Sequence, residues 1–122
     1  MIVAGIGLRA EATETAIGDA LALTGGKPGL LACLEEKKTP ALTACAARLS
    51  LPLVTLNEAD IAGEQTLTCS PRIKARFATG SVAEALALAA ARKGGFKARL
   101  IGPRVQSPCG MATAALAERI TT

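Results

Sequence analysis

The 122-residue chain contains no His, Tyr or Trp, so acid, base and nucleophile roles fall to Glu, Asp, Lys, Cys, Ser and Thr, and any imidazole mechanism is excluded. One cluster offers a base at the end of an expected strand, Glu36 beside Lys37 and Lys38; a charged run of this kind is more often a solvated face. Two other stretches suit binding better than reaction. In Gly5-Ile6-Gly7-Leu8-Arg9, two glycines let a strand break into a tight turn and approach its surroundings closely, with a cation next to them. In Thr79-Gly80-Ser81-Val82-Ala83-Glu84, Ser81 and Glu84 have the spacing of a capping box, which opens a helix whose free amides attract anions. Each has a plain structural reading too: a closed strand-to-helix turn, and a satisfied helix end.

Cys33, Cys45, Cys69 and Cys109 occur singly, with no C-x-x-C pair. A metal site would need thiolates from four separate segments, so no metal and no cofactor is expected. Cys33 and Cys45 have apolar neighbours and read as buried thiols; Cys69 and Cys109 adjoin Ser-Pro and Pro-Gly turns and read as more exposed. Charge is uneven. Residues 1–61 carry five Lys/Arg against seven Asp/Glu, and residues 62–122 nine against three. A basic half favours an anionic partner. With only Phe77 and Phe96 as aromatic side chains, bases would have little to stack on, so nucleic acid is not expected. Arg72, Lys74 and Arg76 read as a solvated face.

The elements that must hold these residues read as α/β in one domain spanning 1–122. Half the residues are hydrophobic and almost none aromatic, which suits thin layers of Ala, Leu, Ile and Val between helices and a sheet. Ile2 and Val3 begin a buried strand, and apolar spacing predicts a helix over 11–24. Leu30–Leu34 and Leu53–Leu56 read as strands. Thr39-Pro40 opens a helix to about Leu49, Asn57 caps a short one, and Ser81 opens one to about Arg92. Phe96–Ile101 alternates as a strand should. Residues 111–120 have helical composition but follow a Pro-Cys-Gly turn that suits a terminal hairpin. The expected fold is a single sheet of about five strands, with helices on its faces and a C-terminal antiparallel hairpin. No apolar run is long enough for a membrane span and no signal peptide is evident, so a cytoplasmic location is expected.

Taken together, several segments resemble the CobE and CbiG C-terminal domain family of cobalamin (vitamin B12) biosynthesis. Gly5-Ile6-Gly7-Leu8-Arg9 is similar to its Gly-x-Gly-Cys-Arg opening, and Leu51-Pro52-Leu53 to its Gly-Leu-Pro-Leu step. Thr79–Ala85 resembles its Thr-Gly-x-x-Ser-Val-Ala-Glu-Ala box, and Gly102-Pro103-Arg104 through Met111-Ala112-Thr113 its C-terminal segment. The pieces fall in the family's order over nearly the whole chain. Three positions depart: Leu8 stands for the usual Cys, Ala10 for a frequent Gly, and Lys38-Thr39-Pro40 for an acidic-Pro step.

The resemblance implies a role in building the corrin ring. The missing Cys and carboxylate favour binding or escort of a corrinoid or precorrin intermediate over catalysis. Such molecules carry many acetate and propionate groups around an apolar ring, and a site for one needs small apolar walls, amides and cations. On spacing and resemblance together, the lining is assigned to Gly5, Gly7, Arg9, Thr79, Gly80 and Ser81, with Lys37 and Arg104 as outer carboxylate partners. Three alternatives stand beside it: a corrin-processing enzyme related to cobalt-precorrin-5A hydrolase, with Glu36 as base; a small nucleotide- or phosphate-binding domain using Gly5-Ile6-Gly7; and a module that docks on other enzymes of the pathway.

Overall fold

The computed structural model describes residues 1–120. In chain order the elements are β1 (Ile2–Leu8), α1 (Glu14–Leu23), β2 (Leu30–Leu34), α2 (Pro40–Arg48), β3 (Leu53–Leu56), α3 (Glu58–Ile61), α4 (Pro71–Phe77), α5 (Val82–Arg92), β4 (Lys97–Leu100), β5 (Val105–Gln106) and β6 (Ala112–Ile120), with a 3-10 turn at Glu35–Lys37. The sheet order is β3-β2-β1-β6-β4, and β5 also pairs with β6. The β1–β2 and β2–β3 pairs are parallel; β6 runs antiparallel to β1, β4 and β5. The mixed α/β sheet and its C-terminal antiparallel part are as the sequence predicts. The sixth strand is the two-residue β5, which lies in a stretch that reads as turn.

Local chemistry accounts for most helix starts. Thr13 accepts from the Ala16 amide at 3.1 Å and Thr39 from the Leu42 amide at 3.2 Å, so α1 begins three residues later than its apolar pattern suggests. Asn57 and Asp60 form a reciprocal capping box. Ser81 and Glu84 do not. The Ser81 hydroxyl accepts from the Glu84 amide at 3.3 Å, but the Glu84 carboxylate turns away to the Leu67 and Thr68 amides, at 2.5 and 3.1 Å, the Thr68 hydroxyl, and the Arg104 amide at 3.3 Å. The capping box is therefore half formed, because longer-range donors claim the carboxylate.

Two apolar layers enclose the sheet. On one face Ala4, Ile6, Leu8, Leu31 and Cys33 pack with Ile17 and Leu21 of α1 and with Leu42 and Cys45 of α2. On the other, Val3, Ala32, Leu34 and Leu56 pack with Ile61 of α3 and Leu86 and Ala87 of α5. Gly5 and Gly7 face α5 as well, and both remain inside β1, whose whole length is paired with β6. The strand does not break at them as the sequence reading expects. A Cβ on Gly5 would lie 2.0 Å from the Ala83 carbonyl oxygen and 2.6 Å from the Ala87 nitrogen, so a bare backbone is what lets α5 lie against the strand.

Candidate functional site: a cationic cleft at the sheet edge

The chain reverses direction after the carboxyl ends of β1 and β2, and these ends open into a cleft of ≈ 410 Å³. Open α/β sheets place ligand sites at this position. Its apolar lining comes from Ile6, Leu8, Leu34, Val82 and Met111, and from Ile73 and Phe77 of α4. Ser81 and Ala83, at the start of α5, border it, as do Gly7 and Thr113, whose hydroxyl donates to the Gly7 carbonyl at 3.3 Å.

Five cations reach the cleft, Arg9, Lys37, Arg72, Arg76 and Arg104, and no Asp, Glu or Cys lines it. Arg76 is engaged: its guanidinium grips the exposed Glu58 carboxylate through both oxygens, one at 3.0 Å, and lies 4.5 Å from the Phe77 ring centre. That hydrogen bonding, with the Arg76 charge, holds the Glu58 carboxyl below its usual range. Among the described residues, Arg9, Lys37, Arg72 and Arg104 take part in no ion pair. Each is held by its backbone: Arg9 donates its amide to the Met111 carbonyl at 2.9 Å, Lys37 ends the 3-10 turn after β2, Arg72 lies in the first turn of α4, and the Arg104 amide meets Glu84.

Five of the eight residues singled out in the sequence border the cleft, Gly7, Arg9, Lys37, Ser81 and Arg104. The other three lie behind it. Gly5 is under α5. Thr79 is buried, and its hydroxyl donates to the Glu64 carbonyl at 2.8 Å. Gly80 is pressed against the 66–69 loop, where a Cβ would come within 2.6 Å of the Thr66 hydroxyl and the Thr68 carbonyl. Arg72 and Arg76 are the residues that sequence reasoning missed. They recur four apart beside Ile73 and Phe77, also four apart, so α4 presents a mixed cationic and apolar stripe to the cleft. That doubled spacing was the available signal.

The other reactive groups are elsewhere. Glu36 is exposed and does not line the cleft, but lies beside the Arg76–Glu58 pair at its border. Cys33 and Cys45 are buried and Cys69 and Cys109 exposed, as expected. Burial pushes the Cys33 and Cys45 thiols up, whereas the Ser107 hydroxyl, 3.4 Å from its sulfur, draws the Cys109 thiol down. Among the described residues no three His, Cys, Asp or Glu groups are placed to hold a metal ion, and no helix is long and apolar enough to cross a membrane. Since both glycines lie within β1, the glycine loop that a phosphate-cradling turn requires does not form there.

Residues 2–117 match the family described as Cobalamin synthesis G C-terminus. Among solved structures, the chain is similar to CobE, a protein from the cobalamin (vitamin B12) biosynthetic pathway, at 30% identity and TM-score 0.82, with 100% of this chain and 92% of that one covered. It is also similar to the cobalamin biosynthesis protein chiG from Agrobacterium tumefaciens str. C58, at 31% identity and TM-score 0.71, with 97% and 98% covered. Comparison with curated proteins gives no significant match. The fold is that of a small α/β protein with a cationic cleft at its sheet edge. The chain belongs to the CbiG C-terminal family of cobalamin biosynthesis.

Proposed function

We propose that the cleft binds the carboxylate rim of a corrinoid or precorrin intermediate, and that the chain serves cobalamin biosynthesis as a binding or carrier protein. The observation that carries this reading is charge without balance: four cations with no ion-pair partner among the described residues, facing a partly apolar cleft that no carboxylate lines. Cations without an ion-pair partner favour an anionic ligand, and guanidinium groups bind carboxylates with two parallel hydrogen bonds. The apolar residues between them suit the ring that carries those carboxylates. In this reading the grip falls on one edge of the ring. A carrier role suits this lining, where Ser70 and Ser81 cap helices, Thr113 bonds the Gly7 carbonyl and Lys37 has no neighbouring base within the lining to activate it.

The test is a titration with late corrin intermediates followed by visible absorbance, with the ligand then re-weighed by mass spectrometry. Binding with unchanged ligand mass is the expected result. A changed mass would make the chain an enzyme, and the absence of any spectral response would remove the small-molecule site and leave the docking module.

A further inference from the structure

The cleft has two walls that come from chain segments far apart in sequence, and one buried side chain ties both to the rigid part of the fold. Glu84 is 0% exposed, although it sits in the first turn of α5, where Val82, Ala and Leu fill all the other positions up to Arg92. No ion pair among the described residues involves it. All its partners are donors from loops. Oε1 accepts from the Leu67 amide at 2.5 Å and the Thr68 amide at 3.1 Å. Oε2 accepts from the Thr68 hydroxyl and from the Arg104 amide at 3.3 Å. Thr68 lies two residues before Ser70, the N-cap of α4. A second tie on that side is the Ser70 amide, 2.8 Å from the Gly80 carbonyl. Helix α4 has no fully buried residue; these anchors fix its start, while Phe77 against the core, the Gly63 amide on the Ala78 carbonyl at 2.9 Å and the Arg76–Glu58 pair hold its end.

A carboxylate taken fully out of water is costly unless charge-assisted hydrogen bonds replace the water. Stability alone would be served as well by another Leu or Ala at this point of α5. What an apolar residue would not do is hold the Leu67, Thr68 and Arg104 amides together. We propose that Glu84 is a positioning residue for the cleft: through the Arg104 amide it sets where the Arg104 guanidinium meets the ligand, and through Leu67 and Thr68 it sets the α4 wall bearing Arg72 and Arg76. This rests on the reading of the cleft as a carboxylate site.

Glu84→Gln separates the two walls. The amide side chain keeps one acceptor oxygen, which the Leu67 and Thr68 N–H groups require. Its NH2 group then replaces Oε2, where the Thr68 hydroxyl turns round to accept from it and the Arg104 N–H loses its partner. Amide exchange followed by NMR is therefore expected to accelerate at Arg104 while Leu67, Thr68 and the α5 amides stay protected. This readout needs no ligand. With uroporphyrin III, a tetrapyrrole octacarboxylate, as probe, E84Q is expected to weaken binding about tenfold. That loss is expected to vanish in an Arg104→Ala background and to persist in an Arg9→Ala background. A merely stabilising Glu84 would leave probe affinity unchanged, or cost the same in both backgrounds, and either result overturns the proposal. Unchanged exchange at Arg104 overturns it too. If E84Q does not fold, the wild-type protein decides: Arg104 must exchange far more slowly than an exposed loop amide. If wild-type protein does not bind the probe, the carboxylate reading of the cleft fails, and the proposal falls with it even if exchange at Arg104 shows the tie.

Discussion

Cys33 shows how a single residue's environment sets a property of the whole chain. Its side chain is in the middle of β2, fully buried, and loss of hydration pushes its thiol up to about 11 from an ordinary 9.0, with Lys38 offsetting part of the rise. Above pH 9 the unfolded chain ionises this thiol while the folded chain keeps it neutral. Stability that is fully present below pH 9 is therefore lost as pH rises towards about 11, by on the order of 2 kcal/mol. Cys33→Ala removes that dependence. Urea unfolding at pH 8 and at pH 11 is expected to show a smaller loss in the variant than in the wild type; parallel losses would contradict it. The apolar neighbours Ala32 and Leu34 made the burial of Cys33 legible in the sequence. The burial of Glu84 was less so, since Ser81 three residues earlier offered a local explanation for it. The sign that a longer-range role existed was its setting, the one charge in α5 before Arg92 at its last position, among residues apolar on every side.

At the scale of elements, the contact between β1 and α5 decides what β1 must be made of. Odd positions of the strand face α5, and two of them are glycine because the helix backbone passes directly over the sheet. Gly5→Ala puts a methyl group into backbone atoms of Ala83 and Ala87, neither of which can rotate aside. It is expected to cost about 3 kcal/mol or more. At Gly7 the added Cβ would meet the Thr113 hydroxyl at 2.5 Å, a side chain that can turn at the loss of its 3.3 Å bond to the Gly7 carbonyl, so Gly7→Ala is expected to cost less. Urea midpoints for the two variants check the order, and equal midpoints would contradict it. Spacing alone could not distinguish these glycines from a turn, because the reason for them lies in a helix some eighty residues later. The C-terminal strand was ambiguous for a related reason. Ala112, Ala114, Ala115 and Ala117 favour a helix locally, yet β6 is gripped by β1 on one side and by β4 and β5 on the other, and small side chains are what fit between the layers on both faces. Tertiary pairing overrides the local preference. The strands β2 and β3 had no such competitor, and their limits could be read directly.

For the molecule as a whole, the sheet order is what turns scattered cations into a site. Arg9 and Lys37 follow neighbouring parallel strands, and Arg104 precedes a strand pairing antiparallel to β6, so segments up to ninety-five positions apart reach one edge. The sequence showed the basic half of the chain but not which of its nine Lys and Arg turn inward. Arg92 and Arg99, for example, are spent on Glu64 and Glu118. The central claim is that the unpaired cations of the cleft hold ligand carboxylates. The measurement that tests it most directly is a uroporphyrin III titration of the wild type and of a variant with Arg9, Lys37 and Arg104 all replaced by Ala, each at low and high salt. The account predicts wild-type binding that weakens as salt rises, and a variant with the same thermal midpoint whose binding falls by about a hundredfold or more, from roughly 1 kcal/mol or above per charged contact. Equal affinity of the two proteins, or wild-type binding indifferent to salt, would contradict it.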